Sequence, residues 1–232
     1  MSAMQERAWP QAVLFDLDGT LIDSAADIRG AVNELLAVHG LAPLPLDEVR
    51  SMIGRGIKVT VDRAFRASGR PLDNDALDRA NAEMVDIYAN HLTEFTQPMA
   101  GAVETLQSMN DAGIRLAVAT NKPQRAAEIV LEHFDMLSYL GAVVGGDAGV
   151  AKKPARDILL AALERMGLDP WNAVMVGDSG ADVESAKAAG IPVVVIRGGY
   201  TNVPADDLGA DLVLDSLEQL QASFQTLKRP AP

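Results

Sequence analysis

The chain has 232 residues, 48% of them hydrophobic and none of them cysteine, with a formal net charge of −12. That length suits one large domain or one domain with a smaller insert, and the lack of cysteine excludes disulfides, thiolate metal sites and a cysteine nucleophile. So acidic a chain is a poor match for a nucleic-acid backbone, which needs basic surface; no apolar stretch reaches the roughly 18 residues of a membrane span. The opening MSAMQERAWPQ lacks the basic-then-apolar pattern of a secretory signal. The expectation is a cytoplasmic protein whose partners are neither nucleic acid nor membrane.

The first apolar run, Ala12 to Phe15, leads into Asp16, Leu17, Asp18, Gly19 and Thr20, a pattern that predicts a buried strand ending in a turn. Residues 25 to about 95 then read as helices only. The segment 25–38 is amphipathic, and helical stretches at 46–54, 57–69 and 75–92 follow, separated by glycines and prolines. The second half alternates. A helix at 101–113 precedes a strand at 114–120; a helix at 122–134 carries Pro123 in its first turn. A strand at 141–147, a helix at 154–167 and a strand at 172–178 come next. A helix at 180–190, strands at 191–199 and 210–216, a final helix through Phe224 and a fraying RPAP tail complete the series. Strands alternating with helices predict βαβ units and a parallel sheet, and strands apolar at every position are buried on both faces. The expected fold is α/β, a Rossmann-like parallel sheet with helices on both faces. Residues 1–23 and 98–232 would form it. An all-helical second domain, 24–97, is inserted between them, with linkers near Asp23–Ala25 and Gln97–Gly101.

In open parallel sheets, ligands bind beyond the carboxyl ends of the strands. Those ends carry Asp16 and Asp18, then Thr120, Asn121 and Lys122, then Asp147 with Lys152 and Lys153 further on, then Asp178, Ser179 and Asp182. Crowded carboxylates repel one another. A hard divalent cation removes that conflict, and Mg²⁺ typically takes one or two carboxylates plus substrate phosphate oxygens. A hydroxyl and lysines nearby suit the remaining oxygens, so the pattern points to phosphoryl transfer, for which an aspartate can be the nucleophile. Asp23 fits a cap of the following helix, and Asp147 fits a turn as well as a site. His39, His91 and His133 are scattered near helix ends, where a cation is favoured. There is no G-x-x-x-x-G-K-[ST] loop and no G-x-S-x-G elbow.

The segments LFDLDGTLID, LAVATNKP, KKPARD and VGDSGADVESAKAAG together resemble the four motifs of the haloacid dehalogenase superfamily of phosphotransferases. The helical insert is similar to that superfamily's C1-type cap, and TNKP, GGD and the lysine–proline step make the chain most similar to its phosphoglycolate phosphatases. The resemblance implies a Mg²⁺-dependent phosphatase working through an aspartyl phosphate on a small phosphorylated metabolite, with 2-phosphoglycolate, giving glycolate and phosphate, as the expected substrate. It implies Asp16 as nucleophile and Asp18 as the acid and base. Asp16, Asp178 and the Asp18 carbonyl would hold the metal. Asp182 would support the metal or orient Lys153, Thr120 and Lys153 would bind phosphoryl oxygens, and Asn121 would add a donor. The lysine motif departs from the usual K-P-x-P, with Arg156 in place of the second proline, and Lys153 is taken as the motif lysine because it precedes Pro154. In the insert, Arg55 between Gly54 and Gly56, with Lys58 beyond, is expected to meet the substrate's carboxylate, which suits a planar guanidinium. A sugar-phosphate phosphatase or phosphosugar mutase is the alternative within the superfamily; a phosphate-binding regulatory protein on the same scaffold is the alternative outside catalysis.

Overall fold

The computed structural model describes residues 9–231. Residues 1–8, expected to begin the α/β core, and Pro232 of the tail lie outside the described residues. Strand β1 (Ala12–Phe15) has no exposed side chain, and burying Val13, Leu14 and Phe15 contributes roughly 1.5–3 kcal/mol apiece. Two very short strands, β2 (Ile22–Asp23) and β3 (Gln97–Pro98), pair antiparallel with each other. The remaining strands are β4 (Arg115–Ala119), β5 (Leu140–Val144), β6 (Ala173–Gly177), β7 (Val193–Ile196) and β8 (Leu212–Leu214). With β1 they form one six-stranded sheet in the order β5-β4-β1-β6-β7-β8, parallel at every pairing.

Alternate residues of the strands feed two separate apolar layers. Val13, Phe15, Val118 and Val176 face one; Leu14, Ala117, Met175 and Val195 face the other. Helices α1 (Ala25–Val38), α2 (Leu46–Arg50), α3 (Ile57–Ala67) and α4 (Asn74–Tyr88) lie between β2 and β3 in the chain. Helices α5 (Ala102–Asp111) and α6 (Gln124–His133) cover the first face. Helices α7 (Asp157–Met166) and α8 (Gly180–Ala189) cover the second, contributing Ile158, Leu159, Leu163 and Val183. Gly167 and Gly190 end α7 and α8 in left-handed conformation. The expected final helix is split into short turns around α9 (Leu220–Ser223).

The residues of α1 that are buried recur at helical spacing, Ile28, Ala31, Val32, Leu35 and Leu36, and α1 packs on α2 and α4 while α3 packs on α4. Their apolar cluster is continuous with the first sheet layer through Leu17, Leu21 and Ile22. Asp27 on α1, 1% exposed, accepts hydrogen bonds from Phe95 N, Thr96 N and Thr96 Oγ1 at 2.9, 2.9 and 2.6 Å. One carboxylate thereby ties the helical segment's exit to its entry. β1 has β4 on one side and β6 on the other, so the chain reverses its direction of winding there. Such a switch point opens a crevice at the carboxyl ends of the strands.

Candidate active site

Three buried carboxylates meet beyond β1 and β6. Asp16 follows β1, Asp178 follows β6 and Asp182 lies in the first turn of α8; one oxygen from each lies within 4.8 Å of the others. Among the described residues a single cation serves them: Lys153 Nζ, with its side chain 1% exposed, is 2.8 Å from Asp16 Oδ1 and 2.7 Å from Asp182 Oδ1. Among the described residues Asp178 has only neutral partners, the Thr20 hydroxyl at 3.2 Å and the Tyr200 N–H at 2.6 Å. With all three carboxyls ionised the cluster would carry two negative charges more than positive, in a place with little water. Burial, reinforced by Asp182 and opposed by Lys153, pushes the Asp16 carboxyl up to about 7. Burial, then Asp182 and Asp16, hold the Asp178 carboxyl well above its ordinary range. Burial disfavours the Lys153 charge, but Asp16 and Asp182 outweigh it and raise the ammonium's pKa. Oxygen donors with a deficit of two positive charges fit a hard divalent cation.

The carboxylates are packed by glycines. A methyl group on Gly199 would lie 2.3 Å from Asp178 Cβ, and one on Gly19, whose φ is +89°, would lie 2.6 Å from Asp178 Oδ2. Asp182 is fully committed. Beyond Lys153, its Oδ2 accepts from Ser179 N at 3.0 Å and Ser179 Oγ at 2.7 Å in a capping box at the start of α8. It thus serves as the lysine's anchor. Asp16 Oδ1 accepts from Leu17 N at 2.7 Å as well as from Lys153; no hydrogen bond reaches Asp16 Oδ2 among the described residues.

Asp18 sits across a cavity of about 40 Å³ that Asp16 also lines. Its Oδ1 accepts from Ser24 Oγ at 2.6 Å and from Lys122 Nζ at 2.8 Å. Thr120, 1% exposed at the end of β4, lines the same cavity, as do Asn121 and Lys122. The helical segment supplies the opposite wall with Ile28, Ile53, Ile57 and Met84, and adds the hydroxyls of Thr60 and Tyr88.

The fold thus brings together Asp16, Asp18, Thr120, Asn121, Lys153, Asp178 and Asp182, drawn from the ends of β1, β4 and β6, the loop before α7 and the first turn of α8. Two expectations need correction. The Asn121 side chain has no N–H left for a phosphoryl group, because Nδ2 donates to Gly54 O and to Lys153 O, each at 2.9 Å, so a donor from this residue would have to be its backbone N–H. The side chain instead joins the 54–56 loop to the lysine loop, leaving its buried Oδ1 without a partner among the described residues. Arg55 does not enter the cavity. Its half-exposed guanidinium lies 3.9 Å from Glu184, because the loop presents the backbone of Gly54 and Gly56 to the core and turns the side chain between them outward. Lys58 is also outside, paired with Asp78 on the surface.

Other residues singled out in the sequence settle into structural roles. Asp147 Oδ1 accepts from Gln124 N at 2.7 Å at the start of α6. Asp23 accepts from Ala25 N at 3.2 Å at the start of α1, and also from Tyr200 Oη and Arg50. Exposed Arg156 directs its guanidinium to Ala188 O at the end of α8. His39 pairs with Glu83, and His91 with Glu34. Sequence reasoning places Lys122 at a strand end without a role and misses Tyr88, Ser24 and Tyr200. Lys122 was visible as part of TNKP, but its partners Asp18 and Tyr88 lie 104 and 34 residues away.

Comparison with known proteins agrees with this geometry. The family model described as haloacid dehalogenase-like hydrolase matches residues 13–196. The chain is 39% identical over 220 residues to a phosphoglycolate phosphatase of Caulobacter vibrioides, covering 95% of this chain and 93% of the relative. It is 33% identical over 213 residues to an N-acetylmuramic acid 6-phosphate phosphatase of Pseudomonas aeruginosa, covering 90% and 92%. A crystal structure of a predicted phosphoglycolate phosphatase from Haemophilus somnus 129pt superimposes with a TM-score of 0.85 at 27% identity, over 91% of this chain and 96% of that one. No helix among the described residues is long and apolar enough to cross a membrane. From its motifs, its sheet order and these relatives, the chain belongs to the haloacid dehalogenase-like hydrolase family.

Proposed function

We infer that the protein is a phosphoric monoester hydrolase that transfers the phosphoryl group to Asp16, with 2-phosphoglycolate as its substrate. The observation that carries the reading is the buried cluster of Asp16, Asp178 and Asp182 around one lysine, with Asp18 lining the same cavity as Asp16. Mg²⁺ held by Asp16, Asp178 and the Asp18 carbonyl would supply charge neutralisation for the phosphoryl oxygens. Lys153, fixed by Asp182, holds Asp16 in place and offers its ammonium to the same oxygens; the Thr120 hydroxyl adds a donor.

The chemistry follows in two displacements. An oxygen of the Asp16 carboxylate forms a bond to phosphorus as the bond to the leaving oxygen breaks, and the Asp18 carboxyl gives that oxygen its proton. Asp18, now a carboxylate, takes a proton from a water molecule. The resulting hydroxide bonds to phosphorus and releases inorganic phosphate and the free Asp16 carboxylate. Ser24 and Lys122 hold Asp18 in position for both transfers.

Residues 24–97 act in this reading as a cap hinged at the β2–β3 pair, between the two parts of the chain that build the α/β core. The link from Asn121 to Gly54 O belongs to the closed arrangement, which excludes bulk water from the reacting groups. The apolar wall of Ile28, Ile53, Ile57 and Met84 favours a short aliphatic leaving group over a polyhydroxylated sugar such as that named for the Pseudomonas relative. Phosphate release across a panel of phosphomonoesters, with Mg²⁺ and with EDTA, tests the reading. Phosphoglycolate should lead the panel and depend on Mg²⁺; a sugar phosphate in first place would overturn the substrate, and no release from any ester would overturn the activity.

A further inference from the structure

The substrate reading leaves a question that Arg55 was expected to answer: what meets the carboxylate of the leaving group. Among the residues lining the cavity there is one cation, Lys122. Its side chain is 1% exposed. An ammonium has three N–H donors. One goes to Asp18 Oδ1 at 2.8 Å and one to Tyr88 Oη, leaving the third without a partner among the described residues. Tyr88 is 3% exposed. Its oxygen accepts from Lys122, and its own hydrogen has no acceptor among the described residues. The ammonium also lies 4.8 Å from the centroid of the Tyr88 ring, and both residues line the cavity. A buried hydroxyl hydrogen and a buried ammonium hydrogen with nothing to bond are costly unless a ligand takes them. Around them the wall is apolar, with Ile28, Ile53, Ile57 and Met84. That surface rewards a short aliphatic segment and offers no hydrogen bonds to a polyhydroxylated sugar.

Resting on the phosphatase reading above, the geometry points to Lys122 and Tyr88 as a two-donor receptor for the carboxylate of a short phosphorylated acid. One donor comes from the TNKP loop of the core and the other from the end of α4 in the helical segment, so the receptor is complete only when that segment lies over the sheet. A carboxylate bound there would bridge the two parts of the molecule.

Two phosphonates that cannot be hydrolysed test this without relying on turnover. 3-Phosphonopropionate carries the carboxylate and propylphosphonate lacks it. Their affinities for the wild type, Tyr88→Phe, Lys122→Met and Arg55→Ala, measured by titration calorimetry with Mg²⁺ present, give a preference ratio for each protein. The wild type should prefer the carboxylate ligand by about tenfold or more, the range of a hydrogen bond to a charged group. Tyr88→Phe, which keeps the ring, should narrow that ratio several-fold, and Lys122→Met should abolish it. If Lys122→Met does not fold, the isosteric Tyr88→Phe carries the test. Equal affinities in the wild type, an unchanged ratio in Tyr88→Phe, or a collapsed ratio in Arg55→Ala would each overturn the assignment. A preference without phosphate release from any ester would leave the receptor standing and remove the phosphatase; release without a preference would do the reverse.

Discussion

Lys153→Met is the sharpest test of the charge balance in the cluster. Methionine keeps most of the lysine's length and volume and removes only the ammonium. In the wild type that ammonium is buried and makes two short ion pairs, to Asp16 at 2.8 Å and Asp182 at 2.7 Å. Its loss leaves three buried carboxylates with no cation. Breaking a buried pair from one side costs about 3–5 kcal/mol. For a chain of this size that lowers the melting midpoint by roughly 6–20 °C. The deficit should depend on pH. The folded Asp16 carboxyl sits at about 7 against an ordinary 3.8 even with Lys153 pulling it down, and removing the lysine removes that pull. Between the unfolded and folded values the folded state binds more protons, so stability falls as pH rises through that window. The variant should be weakest near pH 8 and recover as pH falls towards about 5.5, where the Asp16 carboxyl is neutral. Mg²⁺ at saturating concentration should recover part of the loss at the higher pH, because it binds the folded state alone. Urea denaturation at both pH values, with and without Mg²⁺, measures all of this. A deficit under about 1 kcal/mol, or one independent of pH, would refute the charge argument.

Two further substitutions separate neighbouring claims. Gly199→Ala puts a methyl group 2.3 Å from Asp178 Cβ, so Asp178 must move; Mg²⁺ affinity should fall at least about tenfold, and wild-type affinity would mean that Asp178 is not a ligand. Arg55→Ala removes a half-exposed guanidinium 3.9 Å from Glu184; an exposed pair contributes at most about 1 kcal/mol, so KM for phosphoglycolate should stay within about twofold, and a large rise would place Arg55 at the substrate after all.

The strands of the main sheet were legible because each is an apolar run bounded by turn residues, and the helices because their buried positions recur at 3.6-residue spacing, as in α1. The β2–β3 pair was not, since two residues per strand carry no periodicity; only its location, at the expected linkers, could be read. The acidic cluster was legible because its members stand at strand ends in recognisable motifs. Lys122 was not assigned, because nothing local shows that a lysine after β4 meets an aspartate after β1 and a tyrosine on α4. Arg55 misled for the converse reason. A glycine-flanked arginine says that a turn exists, but the direction of its side chain depends on which face of the turn packs on the core. Asn121 shows the same limit, its amide being consumed by two carbonyls that the sequence keeps far apart.

The central claim is that Asp16 carries the phosphoryl group. Acid-quenching the protein during turnover of phosphoglycolate, then weighing the peptide that contains Asp16, tests it most directly. This peptide should gain one phosphoryl group, Asp18→Asn should change the amount trapped, and Asp16→Asn should neither trap the group nor release phosphate. Turnover by Asp16→Asn at a rate near that of the wild type, or a phosphoryl group on a different residue, would contradict it.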